Sequence, residues 1–456
     1  MTWIGIDDTD SPRGGCTTFA LTEVIRAAAA GGFDLIGEPR LVRLNPNIPY
    51  KTRGNAALSA RFGHGLGAPR EVGRQGEEPI VSYLRASPLS AVERDQLVER
   101  AWEAVLAASR LGEPGTDPAL VAVPRRLPAQ LYWNAVQRRV PLRSVERLLR
   151  SHGATVRTAG ARRGLVGAAS AVAWPGAHPT FELITYRSPA RQGERRVLDR
   201  ASVRRAERRF SELFVCTDPA TRRVLIAPHT PCPILYGLRA TRPDRLVAAM
   251  RVLHSEPVER YVIFRTNQGS GDHLSCRAVA DLPAYAAGVV RGVVATVPEV
   301  RPGGHVAFEV ADASGRRLPC LAFEPTKTLP RIALRLRPGD RVRVWGGRGA
   351  DPTFRLEGIE VLRGLARYAK GPNPACPRCG ARMHSLGRAR GFRCPVDHVR
   401  LPPEARGRGP PGERLAAGRW HPTPSARRHL HPRAPEPGRP GETTVRWFRR
   451  RPRTNI

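Results

Sequence analysis

The sequence lacks long apolar segments and contains little lysine or cysteine. No run approaches the roughly 18 consecutive apolar residues of a membrane-spanning helix, and the opening MTWIGIDD is typical of a strand rather than of a signal peptide. Eight cysteines in 456 residues do not form the disulfide framework of a small secreted protein. These absences predict a cytoplasmic protein without a membrane span.

Positive charge dominates what the sequence does contain. The chain has 75 lysines and arginines against 40 acidic residues, which gives a net charge of +35 and a pI near 11.4. Only three of the basic residues are lysines, so a genome biased towards arginine codons can account for part of the excess. A charge of this size attracts polyanions, and we expect nucleic acid as the partner.

The length of 456 residues exceeds the roughly 250 to 300 residues at which a single core stops growing, so we expect an α+β multidomain fold. Short β-rich runs first alternate with helical ones. Closely spaced strands then favour an OB-fold, with an SH3-like barrel as the alternative. The end of the chain, rich in proline and arginine, is predicted to be disordered when free. The predicted segments are 1–130, 131–283, 284–365, 370–400 (a ribbon) and 401–456 (a basic tail).

Acidic and small residues cluster where the first strand ends. The cluster contains Asp7, Asp8, Asp10, Gly14, Gly15, Thr17 and Thr18. Neighbouring carboxylates repel one another unless a cation lies among them, and oxygen ligands beside phosphates suit Mg²⁺. The glycines let the backbone approach an anion, and the start of the following helix favours phosphate. The cluster predicts a metal and nucleotide site; an acidic turn with Thr17 as an ordinary helix cap is the alternative.

Lysine is so rare in this sequence that a remaining lysine indicates a position where a compact ammonium is needed. Lys51, in RLNPNIPYKTRGNAALS, and Lys327, in EPTK, are therefore candidate phosphate contacts, and Arg53 follows Lys51 closely. Chance retention of these lysines is the alternative.

A cysteine motif near the end of the chain matches a zinc ribbon. Its thiolates would come from the CxxC pair Cys376 and Cys379 and from Cys394. The expected fourth cysteine is absent: Asp397 occupies its place, and His398 and His384 are nearby alternatives. We predict a structural Zn²⁺, with a metal-free ribbon as the alternative.

Polar residues also follow two predicted strands and enter loops, where site residues often gather. They are Thr266, Asn267, Asp272 and His273 in FRTNQGSGDHL, and His229 in IAPHTPCP. Of these, Asn267, Asp272 and His273 are candidate contacts to substrate or RNA, as is Lys327. Ordinary hydrogen bonds that cap the loops are the alternative.

Taken together, these segments resemble the family of isoleucine-tRNA 2-agmatinylcytidine synthetases. The matching segments occur in the family's order and extend over most of residues 1–395: GIDDTDSPRGGCTTFAL, PRLVRLNPNIPYKTRGNAALS, RRGLVGAASAVAW, FELITYR, RVLIAPHTPCPILYGLRA, IFRTNQGSGDHL, FEPTK and NPACPRCGARMHSLGRARGFRCP. A chance match to all of them is implausible.

The resemblance implies a kinase-like N-terminal α/β domain that cleaves ATP, a ferredoxin-like domain, an OB-fold and a zinc ribbon. It implies that Asp7, Asp8 and Asp10 hold Mg²⁺ and the nucleotide, and that a threonine of the CTT motif becomes phosphorylated, with the alignment favouring Thr17 over Thr18. The substrate would be the wobble cytidine of the isoleucine tRNA with a CAU anticodon. Phosphorylation of its C2 carbonyl oxygen and attack by agmatine would give agmatidine, so that the anticodon reads AUA instead of AUG.

Two features depart from the family pattern. The ribbon lacks its last cysteine, and Ser270-Gly271-Asp272 stands where an acidic pair usually follows TNQG. Two other functions stay open on the sequence: a Mg²⁺-dependent RNA nuclease or phosphoryl transferase, and an RNA-binding protein without catalysis.

Overall fold

The computed structural model describes residues 1–52, 54–387, 389–412 and 414–433. Its first part is a mixed sheet with helices on both faces. The elements are β1 (Thr2–Asp7), α1 (Thr17–Ala30), β2 (Asp34–Leu35), β3 (Arg40–Arg43), β4 (Ala56–Leu66), β5 (Arg70–Gln75), β6 (Glu78–Ser82), β7 (Arg85–Ser87), α2 (Ala91–Ala108), β8 (Ala119–Val123), α3 (Ala129–Gln137), α4 (Leu142–Ser151), β9 (Thr155–Thr158), α5 (Gly164–Ala173), β10 (Thr180–Tyr186), α6 (Arg200–Arg209), β11 (Thr217–Asp218), β12 (Arg223–Val224), β13 (Ile234–Ala240), α7 (Leu246–Met250) and β14 (Arg260–Thr266).

The large sheet has 12 strands, and its main path runs β13, β10, β14, β3, β4, β1, β8, β9. Strand β1 lies between β4 and β8 and pairs with both in antiparallel fashion. Strands β14 and β3 pair in parallel and so join the group β13, β10 and β14 to the group β3, β4, β1, β8 and β9. The predicted boundary at residue 130 does not coincide with a break in the sheet, because β9 pairs with β8.

The two faces of the sheet bury different helices. Apolar residues at helical spacing in α1, among them Leu21, Val24 and Ala28, pack with α2 against one face. A reciprocal pair of hydrogen bonds between Ser90 and Glu93 starts α2. Helices α3, α4 and α5 cover the other face. None of the helices among the described residues is long and apolar enough to cross a membrane.

A five-stranded barrel follows, as the spacing of the strands predicts. It contains β15 (Ala287–Val294), β16 (Glu299–Arg301), β17 (His305–Ala311), β18 (Arg317–Ala322), α8 (Thr328–Ala333), β19 (Arg341–Arg348) and β20 (Phe354–Arg363). Strand β15 pairs with both β19 and β17 and so closes β15, β19, β20, β18 and β17 into a ring, with β16 attached to β17. Alternating residues of β17 are buried, which is the pattern of a strand with one face on a core.

The described residues after the barrel, up to residue 433, fold back onto these units. They contain β21 (Arg367–Lys370), β22 (His384–Ser385), β23 (Phe392–Arg393), β24 (Arg400–Leu401), β25 (Arg408–Gly412) and β26 (Gly418–Trp420). Strand β26 pairs with β20, Leu415 is buried in the barrel core, and Leu430 is buried against α3 to α5. The prediction of a disordered tail over 401–456 is therefore wrong up to residue 433, because a few apolar residues and an open edge of β20 anchor it; residues 434–456 lie outside the described part.

Candidate nucleotide site and metal centre

The first aspartates lie at the end of β1, an inner strand of the large sheet. Asp7 ends the strand and is buried, and Asp8 turns the chain with a φ of 57°. The backbone N–H of Asp8 donates to Asp7 Oδ1 at 2.8 Å. The Asp7 carboxylate lies against Gly167 of α5, where an added Cβ would be 1.6 Å from Oδ2. Glycine at position 167 therefore makes room for the carboxylate.

A fourth aspartate, Asp117, joins this cluster. Residue 119 is opposite Asp7 in the pairing of β1 with β8, so the start of β8 lies beside the end of β1. The backbone N–H of Asp117 donates to the Asp8 carbonyl at 3.0 Å. Its carboxylate accepts the N–H groups of Arg162 and Arg163 at 3.1 and 2.8 Å, where α5 begins. Asp117 could not be singled out from the sequence, where its only signal is an aspartate just before a buried strand.

The carboxylates of this acidic cluster perturb one another. Burial, followed by the charge of Asp8, raises the pKa of Asp7 well above its usual value. Burial, with Asp117 and Asp10, raises the pKa of Asp8 to about 7. A bound cation would relieve this repulsion, so the donor set fits Mg²⁺. The oxygens do not converge as a group of three among the described residues, but Mg²⁺ commonly uses one or two carboxylates with waters and phosphates.

Backbone groups and an arginine lie next to the acidic cluster. Ser11 and Gly14 form a tight turn through a hydrogen bond of 3.0 Å, and Gly15 has a φ of 74°, which glycine adopts without strain. The Arg110 guanidinium lies over this turn, 3.0 Å from the place of a Cβ on Gly14. This arginine was also missed, because its contact with the turn depends on the tertiary fold.

The start of α1 completes the site. Thr17 and Thr18 are buried in its first turn. The preceding residue, Cys16, has no side-chain oxygen to cap the helix; its thiol interacts with the Phe19 N–H, and the N–H groups of Thr17 and Thr18 can donate to an anion. Thr18 Oγ1 lies 3.0 Å from Cys16 Sγ.

Of the basic candidates, the structure brings Lys51 to this region. Its neighbour Thr52 donates to the Asp10 carbonyl at 3.5 Å, and Lys51 Nζ donates to the Pro46 carbonyl. Partial burial and Arg428 lower the pKa of Lys51. Arg53 lies outside the described residues. Lys327 is instead on the barrel, where it forms an ion pair with Glu324.

The loop after β14 serves as a joint between units. Asn267 Oδ1 accepts the backbone N–H of Arg43 at 2.7 Å, and its Nδ2 donates to the hydroxyl of Tyr132 at 2.7 Å. That hydroxyl is 2.6 Å from Asp272 Oδ2 and donates to it. Asn267 and Asp272 thus link β3 and α3, and neither is placed in the acidic cluster.

His273 connects the same loop to the barrel. It is fully buried, and its Nε2 donates to Glu357 Oε2 of β20 at 2.9 Å. Burial alone would raise the pKa of Glu357, but Arg428 and His273 lower it to about 2. The position of the loop therefore depends on both the barrel and the returning C-terminal segment.

The ribbon forms one compact group of potential metal ligands. The Sγ atoms of Cys376, Cys379 and Cys394 and an Asp397 carboxylate oxygen all lie within 4.8 Å of one another. Asp397 Oδ1 is 2.7 Å from Cys394 Sγ and 3.1 Å from Cys379 Sγ. These separations suit tetrahedral Zn²⁺, whose bonds to sulfur are about 2.3 Å long. Neither His398 nor His384 belongs to the group.

Family models match three parts of the chain. They describe the TiaS TCKD domain at residues 3–161, the TiaS FLD domain at 162–273 and the TiaS C-terminal zinc ribbon domain at 373–396. Two proteins named as the isoleucine-2 tRNA 2-agmatinylcytidine synthetase TiaS, from Methanopyrus kandleri and Archaeoglobus fulgidus, are each 36% identical to this chain, over 94% of it and 96% of the relative.

Solved structures agree along nearly the whole chain. A complex of TiaS with the isoleucine-2 tRNA and ATP matches with a TM-score of 0.80 and 33% identity, covering 96% of this chain and 98% of that one. A complex of TiaS with the same tRNA, AMPCPP and agmatine matches with a TM-score of 0.77 and 31% identity, covering 94% and 96%. The chain therefore belongs to the TiaS family of isoleucine-2 tRNA 2-agmatinylcytidine synthetases.

Proposed function

We infer that this protein is an ATP-dependent ligase that attaches agmatine to C2 of the wobble cytidine of the isoleucine-2 tRNA, forming agmatidine. The observation that carries the inference is an acidic cluster beside the open start of α1, in a chain that matches TiaS proteins over 94% of its length. We further propose that the protein acts in the cytoplasm, and that its segments are a kinase-like domain, a ferredoxin-like domain, an OB-fold and a zinc ribbon.

We assign the nucleotide to the acidic cluster and the turn beside it. Mg²⁺ held by Asp7, Asp8 and Asp10 would neutralise charge that develops on the transferring phosphoryl group. The turn at Gly14 and Gly15, the start of α1 and Arg110 face the phosphates with N–H donors and positive charge. Lys51 approaches from the neighbouring segment, and Arg53 is proposed as a further phosphate contact.

Thr17 is the residue that we propose becomes phosphorylated: its hydroxyl oxygen forms a bond to a phosphorus of the nucleotide and loses its proton, and the bond between that phosphorus and the rest of the nucleotide breaks. Thr17 lies in the first turn of α1, and the hydroxyl of its neighbour Thr18 is already in contact with Cys16. The position suits a phosphoryl acceptor, because the N–H groups of the first turn and the helix dipole stabilise the added negative charge.

The reaction requires activation of a poor leaving group. Transfer of a phosphoryl group from ATP to O2 of the cytidine forms an O–P bond and breaks the P–O bond that joined this phosphorus to the departing nucleotide. The primary amine of agmatine then forms a bond with C2 and loses a proton, and the C2–O bond breaks as phosphate departs. We propose that the chain acts by positioning: donors at the start of α1 hold the phosphates, and Asn267, Asp272 and His273 fix the position of the 266–273 loop through their bonds within the protein.

The test is to incubate the protein with ATP, Mg²⁺, agmatine and an unmodified transcript of the isoleucine-2 tRNA, then to digest the RNA and weigh its nucleosides. We expect a cytidine heavier by the agmatine adduct, lost in Thr17→Ala and retained in Thr18→Ala. Mass spectrometry of the protein locates phosphothreonine in parallel. ATP consumption with unmodified tRNA would indicate a different amine or RNA, and absence of ATP consumption would leave only RNA binding.

A further inference from the structure

An arginine-rich cavity of about 670 Å³ lies between the start of α6, strand β12 and the loop of residues 227–231. Five arginines line it, against one carboxylate, that of Glu194. The arginines are Arg187, Arg195, Arg196, Arg200 and Arg223, and His229 lies beside them. Such an excess of one charge around a concave surface concentrates the potential and favours an anionic ligand.

Two of these arginines build the walls of the arginine cavity. Arg187 and Glu256 form a bidentate ion pair at 2.8 and 3.0 Å, with both side chains 1% exposed. Arg196 donates to four backbone carbonyls of the loop at 2.8 to 2.9 Å, those of Pro228, Thr230, Cys232 and Ile234. The cavity is thus held open by side chains whose hydrogen bonds are directed to the protein itself.

The other three arginines, Arg195, Arg200 and Arg223, have a different role. They are exposed, and none of them forms an ion pair with a carboxylate of the described chain. Arg223 Nη2 lies 3.3 Å from His229 Nε2. A guanidinium presents N–H donors in a planar fork that matches phosphate oxygens, so three such groups around one cavity suit phosphate.

The arginine cavity adjoins a second cavity at the loop after β14. The second cavity, of about 240 Å³, shares Arg223 and His229 with the first and is also lined by Gln268 and Gly269. Just after the loop, Ile234 pairs with Tyr186, whose ring centroid lies 5.5 Å from that of Phe19 in α1. The segment that follows the loop therefore lies beside the first turns of α1.

We propose that Arg195, Arg200 and Arg223 bind backbone phosphates of the tRNA anticodon arm beside the wobble cytidine. The proposal rests on the proposed function, since it names the part of the substrate that this surface holds. Two adjoining cavities suit an extended polyanion better than a single small anion: Arg195 and Arg200 line the first cavity, and Arg223 lines both.

The test compares the Arg195→Gln, Arg200→Gln, Arg223→Gln triple variant with the wild type in binding to an isolated anticodon arm over a range of salt concentrations. Each phosphate contact contributes about 0.7 to 0.9 to the slope of log K against log salt. We expect the triple variant to lose about two units of slope and to bind at least about tenfold more weakly at low salt. Arg208→Gln, exposed on the same helix and outside the cavity, should change neither.

Agmatidine formation by the wild type tests the proposed function separately. If the wild type modifies the tRNA while the triple variant binds the arm with an unchanged slope, the phosphate assignment is wrong and the function stands. A raised KM for ATP with unchanged RNA binding would assign the cavity to a free nucleotide and would also overturn the proposal. The single variant Arg223→Gln, with a loss of about one unit of slope, provides the same test if the triple variant does not fold.

Discussion

The imidazole of His429 donates from Nδ1 to the side-chain oxygen of Gln268 at 3.0 Å. This bond joins the returning C-terminal segment, residues 418–433 (the C-terminal strap), to the loop after β14. Burial, together with Arg43 and Arg239, lowers the pKa of His429 well below its usual value, so the ring is neutral and has one N–H to donate. Next to it, Arg428 donates to Asn47 at 2.7 Å. The C-terminal strap thus contacts the N-terminal unit and the 266–273 loop.

A chain that ends at Ala417 should be less stable than one that ends at Arg433. The shorter chain loses β26, the buried Leu430 and the His429 hydrogen bond, and burying one leucine alone contributes roughly 2 kcal/mol. We expect a lower Tm and weaker agmatidine formation. The control that ends at Arg433 keeps every described contact of the C-terminal strap and should melt near the full-length protein; equal Tm values for the two truncations would contradict the role of the strap.

Asp8→Asn should stabilise the metal-free protein at neutral pH while abolishing ATP turnover. The pKa of Asp8 is raised from 3.8 to about 7, so between these values the folded state binds more protons than the unfolded state. Stability from this group therefore falls as pH rises from about 4 to about 7, by on the order of 3 to 4 kcal/mol. Asparagine does not titrate, so the variant does not lose this stability as the pH rises.

The measurement for Asp8→Asn is Tm against pH in a chelator. The difference from wild type should be small near pH 4 and grow towards pH 8, and added Mg²⁺ should reduce it by stabilising the wild type. Asp95→Asn, exposed on α2, is the matched control and should follow the wild type. A difference that is constant with pH would mean that Asp8 is not the group that titrates.

Some elements of the fold and site can be predicted from the sequence, and others cannot. The helix expected after the acidic cluster is α1, because its apolar residues recur at helical spacing next to a glycine. The barrel strands were predicted for the same local reason. Asp117 and Arg110 were missed, because their approach to Asp8 and Gly14 depends on long-range strand pairing and tertiary contacts. The C-terminal strap was missed because composition conceals how few apolar anchors are needed when a sheet edge is already present.

Gly167→Ala should disturb the acidic cluster from the far side of the sheet. The new Cβ would lie 1.6 Å from Asp7 Oδ2, so α5 or the carboxylate must move, at a cost of about 2 kcal/mol. We expect a lower Tm and loss of ATP turnover. Adding Asp7→Ala removes the clashing oxygens, so Gly167→Ala should be less costly in that background, as a double-mutant cycle measures. Gly407→Ala is the control, because a Cβ there meets nothing within 4 Å. If the effects of Gly167→Ala and Asp7→Ala on Tm were additive, the contact between these two residues would be contradicted.

In the ribbon, a carboxylate replaces the fourth cysteine of the family pattern. Asp397 offers an oxygen close to all three thiols, whereas His398 is outside the ligand group. Thiolates bind Zn²⁺ more tightly than a carboxylate does in a structural site, so Asp397→Cys should raise zinc affinity and Asp397→Ala should lower it, each by about tenfold or more. Competition with a chromophoric chelator measures these affinities. His398→Ala should bind zinc as the wild type does, and if it instead weakened binding as much as Asp397→Ala, the fourth ligand would be the histidine.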